Sequence, residues 1–340
     1  MHITSCNTIF IVILLSATYR SEAISGGMTV ESPGHYPFSV TLRKPILCGG
    51  AIISLDPPWV LTAAHCIENV VINDDETQSV AYGDVKFAEQ TYATMKRAVI
   101  HPMYISSQQL TNEVYDYDRT EIIPYDIGLI ELKEPLTASR HVNRIPIYTS
   151  KVEKEENSQS NDTTTTWETI GMGYLGYGQP HAEALQSTTC TLSTSNYLKD
   201  NNYNNSVILA TSNAGLCHGD SGNPLLYKNE KSEYYIQGVL NRIFNAYDPD
   251  PQNYSCPLHE TNATSFVNSF VKPSAHLKWI MKVTQLSKST LTDPPRAADE
   301  RNNNNNNMYM SSTSNAAAAA NVWSLFIILP LLSIICSIFG

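Results

Sequence analysis

The chain has 340 residues, 42% of them apolar and 16% charged, with a formal net charge of -10. That apolar share is enough to bury a substantial core, which argues against a large disordered protein. The acidic balance and the lack of any dense Lys/Arg cluster argue against a nucleic-acid partner, because phosphate binding needs a basic footprint.

Residues 9–15, Ile-Phe-Ile-Val-Ile-Leu-Leu, form a short apolar run, followed by Ser21-Glu22-Ala23 with small residues flanking the glutamate. This reads as a secretory signal peptide over residues 1–23, with a buried strand as the alternative. From Ile24 to about Gln285, short β-branched and aromatic segments are broken every 8 to 15 residues by Gly, Pro, Asn and Asp. Phe38 to Leu42, Gly50 to Ser54, Ile127 to Leu132 and Tyr235 to Leu240 are predicted strands, and the pattern suits an all-β barrel or sandwich. Lys151 to Thr166 and Asn196 to Asn205 are polar and read as exposed loops. Pro273 to Gln285 is predicted to form an amphipathic helix that lays Trp279 on the barrel. Residues 286–321 are expected to be a polar low-complexity linker that includes six consecutive asparagines.

The last 19 residues, Val322 to Gly340, are apolar. Small residues, a spacer and an apolar tail match a GPI-attachment signal, with Ser312, Ser314 and Asn315 as attachment candidates. The alternative is a transmembrane tail helix, since the stretch spans roughly 28 Å at 1.5 Å per residue. Either reading places the protein outside the cell, at the cell surface. N-x-Ser/Thr sequons stand at Asn161, Asn204, Asn253 and Asn262, where an exported chain can carry glycans.

Of seven cysteines, Cys6 and Cys336 fall in the two terminal apolar segments, which leaves five in the body. Cys48 with Cys66, and Cys217 with Cys256, have separations suited to disulfides in an oxidising compartment. Cys190 has no evident partner. No Cys-x-x-Cys pair occurs, so no structural zinc site is expected, and no cofactor enters the reading.

Three strings carry chemistry: Leu61-Thr62-Ala63-Ala64-His65-Cys66, Asp126-Ile127-Gly128-Leu129-Ile130 and Gly219-Asp220-Ser221-Gly222. A serine hydroxyl is a poor nucleophile until a base takes its proton, imidazole has suitable basicity, and a carboxylate can hold the imidazole in the correct tautomer. The order His, Asp, Ser separates one protease architecture from other serine hydrolases.

On these strings, the chain resembles the trypsin and chymotrypsin family from Ile24-Ser25-Gly26-Gly27 to Leu277-Lys278-Trp279-Ile280. The resemblance implies two six-stranded antiparallel β-barrels with a C-terminal helix, a boundary near Pro146 and an active site in the cleft between the barrels. It implies His65 as base, Asp126 as orienting carboxylate, Ser221 as nucleophile, and the backbone N–H groups of Gly219 and Ser221 as the oxyanion hole. Polypeptide substrates, and protein inhibitors as further partners, follow from it. It also matches Ile24 and Asp220 to the family's activation pair, in which a new N-terminal amine folds inward onto the aspartate. A basic residue usually precedes that isoleucine; here Ala23 does, so removal of the signal peptide would itself release Ile24.

The specificity pocket departs from the family. Gly215 replaces the aspartate that binds Arg or Lys in trypsin-like members, so cleavage after basic residues is not expected. Asn241-Arg242-Ile243 replaces Ser-Trp-Gly, Asn268 falls where a pocket-wall glycine is usual, Asn223 replaces a glycine after the nucleophile, and Met172 replaces a tryptophan. The leading expectation is a secreted or cell-surface serine endopeptidase that forms an acyl-enzyme. The alternative is a weakened or inactive homologue serving as a binding or regulatory module, and an esterase using the same residues is a more distant reading.

Overall fold

A two-residue strand, β1 (Met28–Thr29), precedes a closed barrel of six antiparallel strands: β2 (Ser39–Leu42), β3 (Cys48–Leu55), β4 (Pro58–Thr62), β5 (Ser79–Tyr82), β6 (Thr91–Ile100) and β7 (Gly128–Leu132). Their order around the barrel is β2-β3-β4-β7-β6-β5, and β5 pairs back onto β2. The second barrel is built from β8 (Trp167–Gly171), β9 (Gln186–Ser193), β10 (Val207–Ser212), β11 (Pro224–Lys228), β12 (Tyr234–Asn245) and β13 (Phe266–Val271). These run in the order β9-β10-β13-β12-β11-β8, closed by pairing of β8 with β9, while β1 pairs with the start of β9 at Gln186 and Ser187. The computed structural model describes Ile24 and residues 26–72, 78–105, 124–149, 167–176, 179–193, 205–245, 256 and 266–295. The expected signal peptide, the loop over 151–166, the apolar tail and the sequon residues Asn161, Asn204, Asn253 and Asn262 all lie outside the described residues.

The strands form where β-branched and aromatic residues meet a closed pleated surface. β4, Pro-Trp-Val-Leu-Thr, and β7, Gly-Leu-Ile-Glu-Leu, are buried along their whole length, because the barrel interior takes one face and packed neighbours cover the other. Trp59, Ile52, Leu61, Leu129 and Ile130 are almost fully excluded from solvent. Closure also removes the open strand edges that would invite aggregation. β12 continues past the predicted Leu240 to Asn245, since its far half pairs with β13 beyond a register shift between Leu240 and Arg242.

The chain crosses between barrels through residues 146–148, where Ile236 N–H donates to Pro146 O and Tyr148 N–H donates to Ile236 O. After β13, a tight turn over Pro273–His276 leads into α1 (Leu277–Thr284), which ends at Gln285 in a left-handed conformation. Ile280 and Thr284 face inward, and Trp279 packs against the core as predicted.

The expectation of a linker from residue 286 is corrected by the structure. A second helix, α2 (Lys288–Thr292), starts at Ser287, whose hydroxyl accepts the Thr290 N–H at 3.0 Å. Leu291 is fully buried in the main core, which stabilises the segment by about 2 kcal/mol. Its carbonyl accepts from Ile147 N–H at 2.7 Å, while Arg144 donates to the carbonyls of Thr290, Asp293 and Pro294 at 2.9, 2.9 and 3.4 Å. One buried leucine and a set of backbone carbonyls thus dock a segment whose composition is polar. Arg144→Ala is expected to lower stability by about 1–3 kcal/mol, read by urea unfolding, because three carbonyls lose a charged donor.

Candidate active site

His65 follows β4 and Asp126 precedes β7, and these strands are direct neighbours with Thr62 opposite Gly128. The pairing brings the two residues to the same barrel end despite a separation of 61 positions. Asp126, 2% exposed, accepts twice from His65: Oδ1 from the backbone N–H at 2.9 Å and Oδ2 from ring Nδ1 at 2.7 Å. A carboxylate partner on Nδ1 fixes the ring proton there and leaves Nε2 as the basic nitrogen. The His65 side chain keeps a quarter of its surface exposed. Burial disfavours the imidazolium, but the charge and hydrogen bond of Asp126, aided by Glu68, outweigh both burial and the opposing charge of Arg242. The His65 pKa therefore stands above its ordinary value.

Ser221 sits in a tight turn between two glycines in left-handed conformations, Gly219 at φ +91° and Gly222 at φ +85°. A Cβ on Gly222 would lie 2.3 Å from Gly49 O, so the close approach itself requires glycine. The turn is fastened to both barrels: Ser221 O accepts from Gly49 N–H of β3 at 2.7 Å, and Gly222 N–H donates to Leu240 O of β12 at 2.7 Å. Cys66 Sγ lies 3.7 Å from both His65 Nε2 and Ser221 O, so the imidazole and the serine share one neighbouring atom. His218 O accepts from Tyr174 N–H at 2.7 Å. In a planar trans peptide the N–H and C=O point opposite ways, so the Gly219 N–H is turned away from Tyr174.

Asp220 is fully buried. Its Oδ1 accepts from Gly173 N–H at 2.8 Å and its Oδ2 from Cys217 N–H at 2.9 Å. Burial pushes its pKa up to about 7, against the pull of those two backbone bonds. Gly171 is required here, because a Cβ would meet Asp220 Oδ1 at 2.0 Å. The Ile24 side chain is fully buried in the second-barrel core with Ala214, Leu216 and Leu240.

Of the residues expected to line the specificity pocket, Asn241, Arg242 and Ile243 share β12, and Asn268 lies on the neighbouring β13. Gly215 is buried, Ile243 stands opposite Asn268 across β12 and β13, and Arg242 is half-buried. Asn268 is fully buried and donates through Nδ2 to Ser212 Oγ at 3.0 Å, and Ser212 Oγ in turn donates to Ala214 O at 2.6 Å. Asn241 is buried on the same strand. Met172 is an inter-barrel contact whose sulfur accepts from Thr41 Oγ1 at 3.5 Å.

Both expected disulfides are present, Cys48 with Cys66 and Cys217 with Cys256. They brace the His65 turn and the Ser221 loop. Cys190 is a buried thiol whose pKa burial pushes up to about 12. The donor atoms of Cys48, His65 and Cys66 lie within 4.8 Å of one another, but both sulfurs are spent in the disulfide and offer no thiolate, so this trio is not a metal centre. No helix among the described residues is long and apolar enough to cross a membrane.

Two closed barrels with a histidine, a buried aspartate and a serine gathered at their junction define the class of trypsin-fold proteins. The sequence model of the trypsin family matches residues 24–267, and the chain belongs to that family. It is similar to rabbit (Oryctolagus cuniculus) coagulation factor IX, with 28% identity over 250 residues, 66% of this chain and 79% of that protein. Mouse serine protease 28 shares 27% over 274 residues, covering 73% and 90% of the two chains. Human testisin shares 27% over 296 residues, covering 81% and 82%. These relatives support a serine protease.

Proposed function

We propose that this protein is a secreted or cell-surface serine endopeptidase that hydrolyses peptide bonds through His65, Asp126 and Ser221. The observation that carries the reading is the double hydrogen bond from His65 to the buried Asp126 carboxylate, with Ser221 held in a tight glycine-flanked turn fastened to both barrels. In this mechanism His65 Nε2 takes the Ser221 proton as Oγ attacks the scissile carbonyl, and then gives that proton to the leaving amine. Water, deprotonated by the same nitrogen, then releases the acyl group. The N–H groups of Gly219 and Ser221 stabilise the oxyanion, each worth about 3 kcal/mol. Asp126 stabilises the transient imidazolium.

The pocket reading is part of the proposal. Gly215 offers no carboxylate at its own position to hold a basic side chain, and Ile243 with Asn268 narrows the space, so specificity differs from that of trypsin. Removal of residues 1–23 leaves Ile24 as the N-terminus without a separate activation cleavage. A GPI anchor attached near Ser312 to Asn315 holds the enzyme at the outer face of the membrane, and Asn161, Asn204, Asn253 and Asn262 carry glycans. Phospholipase release from cells tests the anchor.

A fluorophosphonate probe reports an activated serine. The protein beginning at Ile24 is expected to be labelled, and Ser221→Ala is expected to abolish labelling. An unlabelled but folded parent would favour the reading in which the scaffold serves binding and no longer cleaves.

A further inference from the structure

Behind the Asp126 loop lies a buried cluster that the chemistry above does not use. His101 follows β6 and His276 ends the turn before α1; they are 8% and 6% exposed, and their rings meet edge to face with centroids 4.8 Å apart. Tyr125 stacks on His101 at 5.1 Å and meets His276 edge-on at 5.6 Å, and Trp279 contacts His101 at 4.8 Å. His276 Nε2 lies 2.9 Å from Pro124 O. A carbonyl only accepts, so this nitrogen carries the proton. His101 N–H donates to Ile127 O at 3.1 Å, and His101 Nδ1 accepts from Met103 N–H at 3.2 Å. Ile127 N–H donates to Tyr125 O at 2.8 Å. Pro124 is therefore bound to His276 and Ile127 to His101, and the Tyr125 ring packs against both histidines, while Asp126 among them turns its carboxylate to His65.

We infer that His276 is a positioning residue for the triad, holding Pro124 O and the Tyr125 ring so that the Asp126 carboxylate stays in register with His65. This rests on reading His65, Asp126 and Ser221 as a triad. Both hydrogen bonds from His65 end on one carboxylate, so a shift of that loop lengthens both together and weakens the grip on the imidazole. The bond to Pro124 spans 152 positions and ties the chain just before α1 to a first-barrel loop. Burial keeps both histidines below their ordinary pKa, and the proximity of His276 adds to this for His101, at about 4. Near neutral pH, His276 is thus a neutral ring whose proton is committed to Pro124.

NMR titration of the imidazoles in the folded protein, carried on a Ser221→Ala background, reads His65 directly whether or not substrate is turned over. His276→Phe keeps a ring and removes the donor, His276→Gln keeps a donor, and Trp279→Phe loosens the packing on His101 without touching the hydrogen bond. His276→Phe is expected to lower the His65 titration midpoint by about half a pH unit or more, while His276→Gln and Trp279→Phe leave it near the parent value. If the phenylalanine variant does not fold, His276→Met, with neither ring nor donor, takes its place with the same expectation. A His65 midpoint unchanged by loss of the donor, or displaced equally by Trp279→Phe, would overturn the inference. A displaced midpoint together with a parent that resists fluorophosphonate would instead overturn the triad reading and leave the link from His276 to Asp126 standing.

Discussion

Asp126→Asn is expected to lower kcat about 10⁴-fold while leaving the fold intact. The carboxylate accepts through both oxygens, one bond from the His65 backbone N–H and one from ring Nδ1. An asparagine has one acceptor oxygen and one donor nitrogen. If the oxygen keeps the backbone N–H, the NH₂ faces Nδ1 and makes it an acceptor, which moves the ring proton to Nε2, where the base must be free. If the oxygen keeps Nδ1, the NH₂ opposes the backbone N–H and the loop is pushed away. The pH dependence should change too. In the parent the reactive form is neutral His65, so kcat/KM falls in acid as the ring takes up a proton, with a midpoint above the ordinary histidine value. Without the carboxylate that raises it, this midpoint moves to lower pH. Steady-state kinetics on a peptide substrate across pH would show both effects, and an Asp126→Asn enzyme within tenfold of the parent would remove Asp126 from the proposed mechanism.

The second large effect concerns Asp220 and the start of the mature chain. A chain that retains Ala23 offers Asp220 two backbone donors and no free Ile24 amine. For a carboxyl whose folded pKa is about 7 against an ordinary 3.8, the stabilisation is fully present below the ordinary value and is lost as pH rises through about 7. At 1.36 kcal/mol per pH unit that is about 4 kcal/mol across the window. If the ammonium of a chain beginning at Ile24 folds inward onto this carboxylate, as the family resemblance implies, it keeps the carboxylate ionised and removes that decline. Urea unfolding of the two chains at about pH 4.5 and pH 7.5, on a Ser221→Ala background, should show the extended form losing stability with rising pH relative to the processed form. With Ser221 intact, the extended form should also react with fluorophosphonate about 10² to 10³-fold more slowly, the cost of an unformed oxyanion hole. Identical behaviour of the two forms would separate Ile24 from Asp220.

Much of this was legible in the sequence because it is local. Ser221 stands in a turn whose glycines are demanded by close contacts, Gly222 against Gly49 O among them, and the cysteine beside His65 is held in a disulfide. The predicted strands and the helix bearing Trp279 appear within a few residues of where β-branched and amphipathic patterns placed them. The strap over 286–295 was not legible. Its fastening is made by carbonyls, which leave no trace in residue identity, and by Arg144, nearly 150 positions away. The tie from His276 to Pro124 is hidden for the same reason: its acceptor is backbone. The far half of β12 was missed because pairing with β13 resumes after an irregularity that alternation does not register.

The docking of α2 also decides how the body answers a pull. Tension on the chain beyond residue 295 reaches the Arg144 clamp and the Ile147 to Leu291 bond before it reaches α1 or β13. Load is delivered first to the crossover joining the barrels, and α1 and β13 bear it only after the strap lets go.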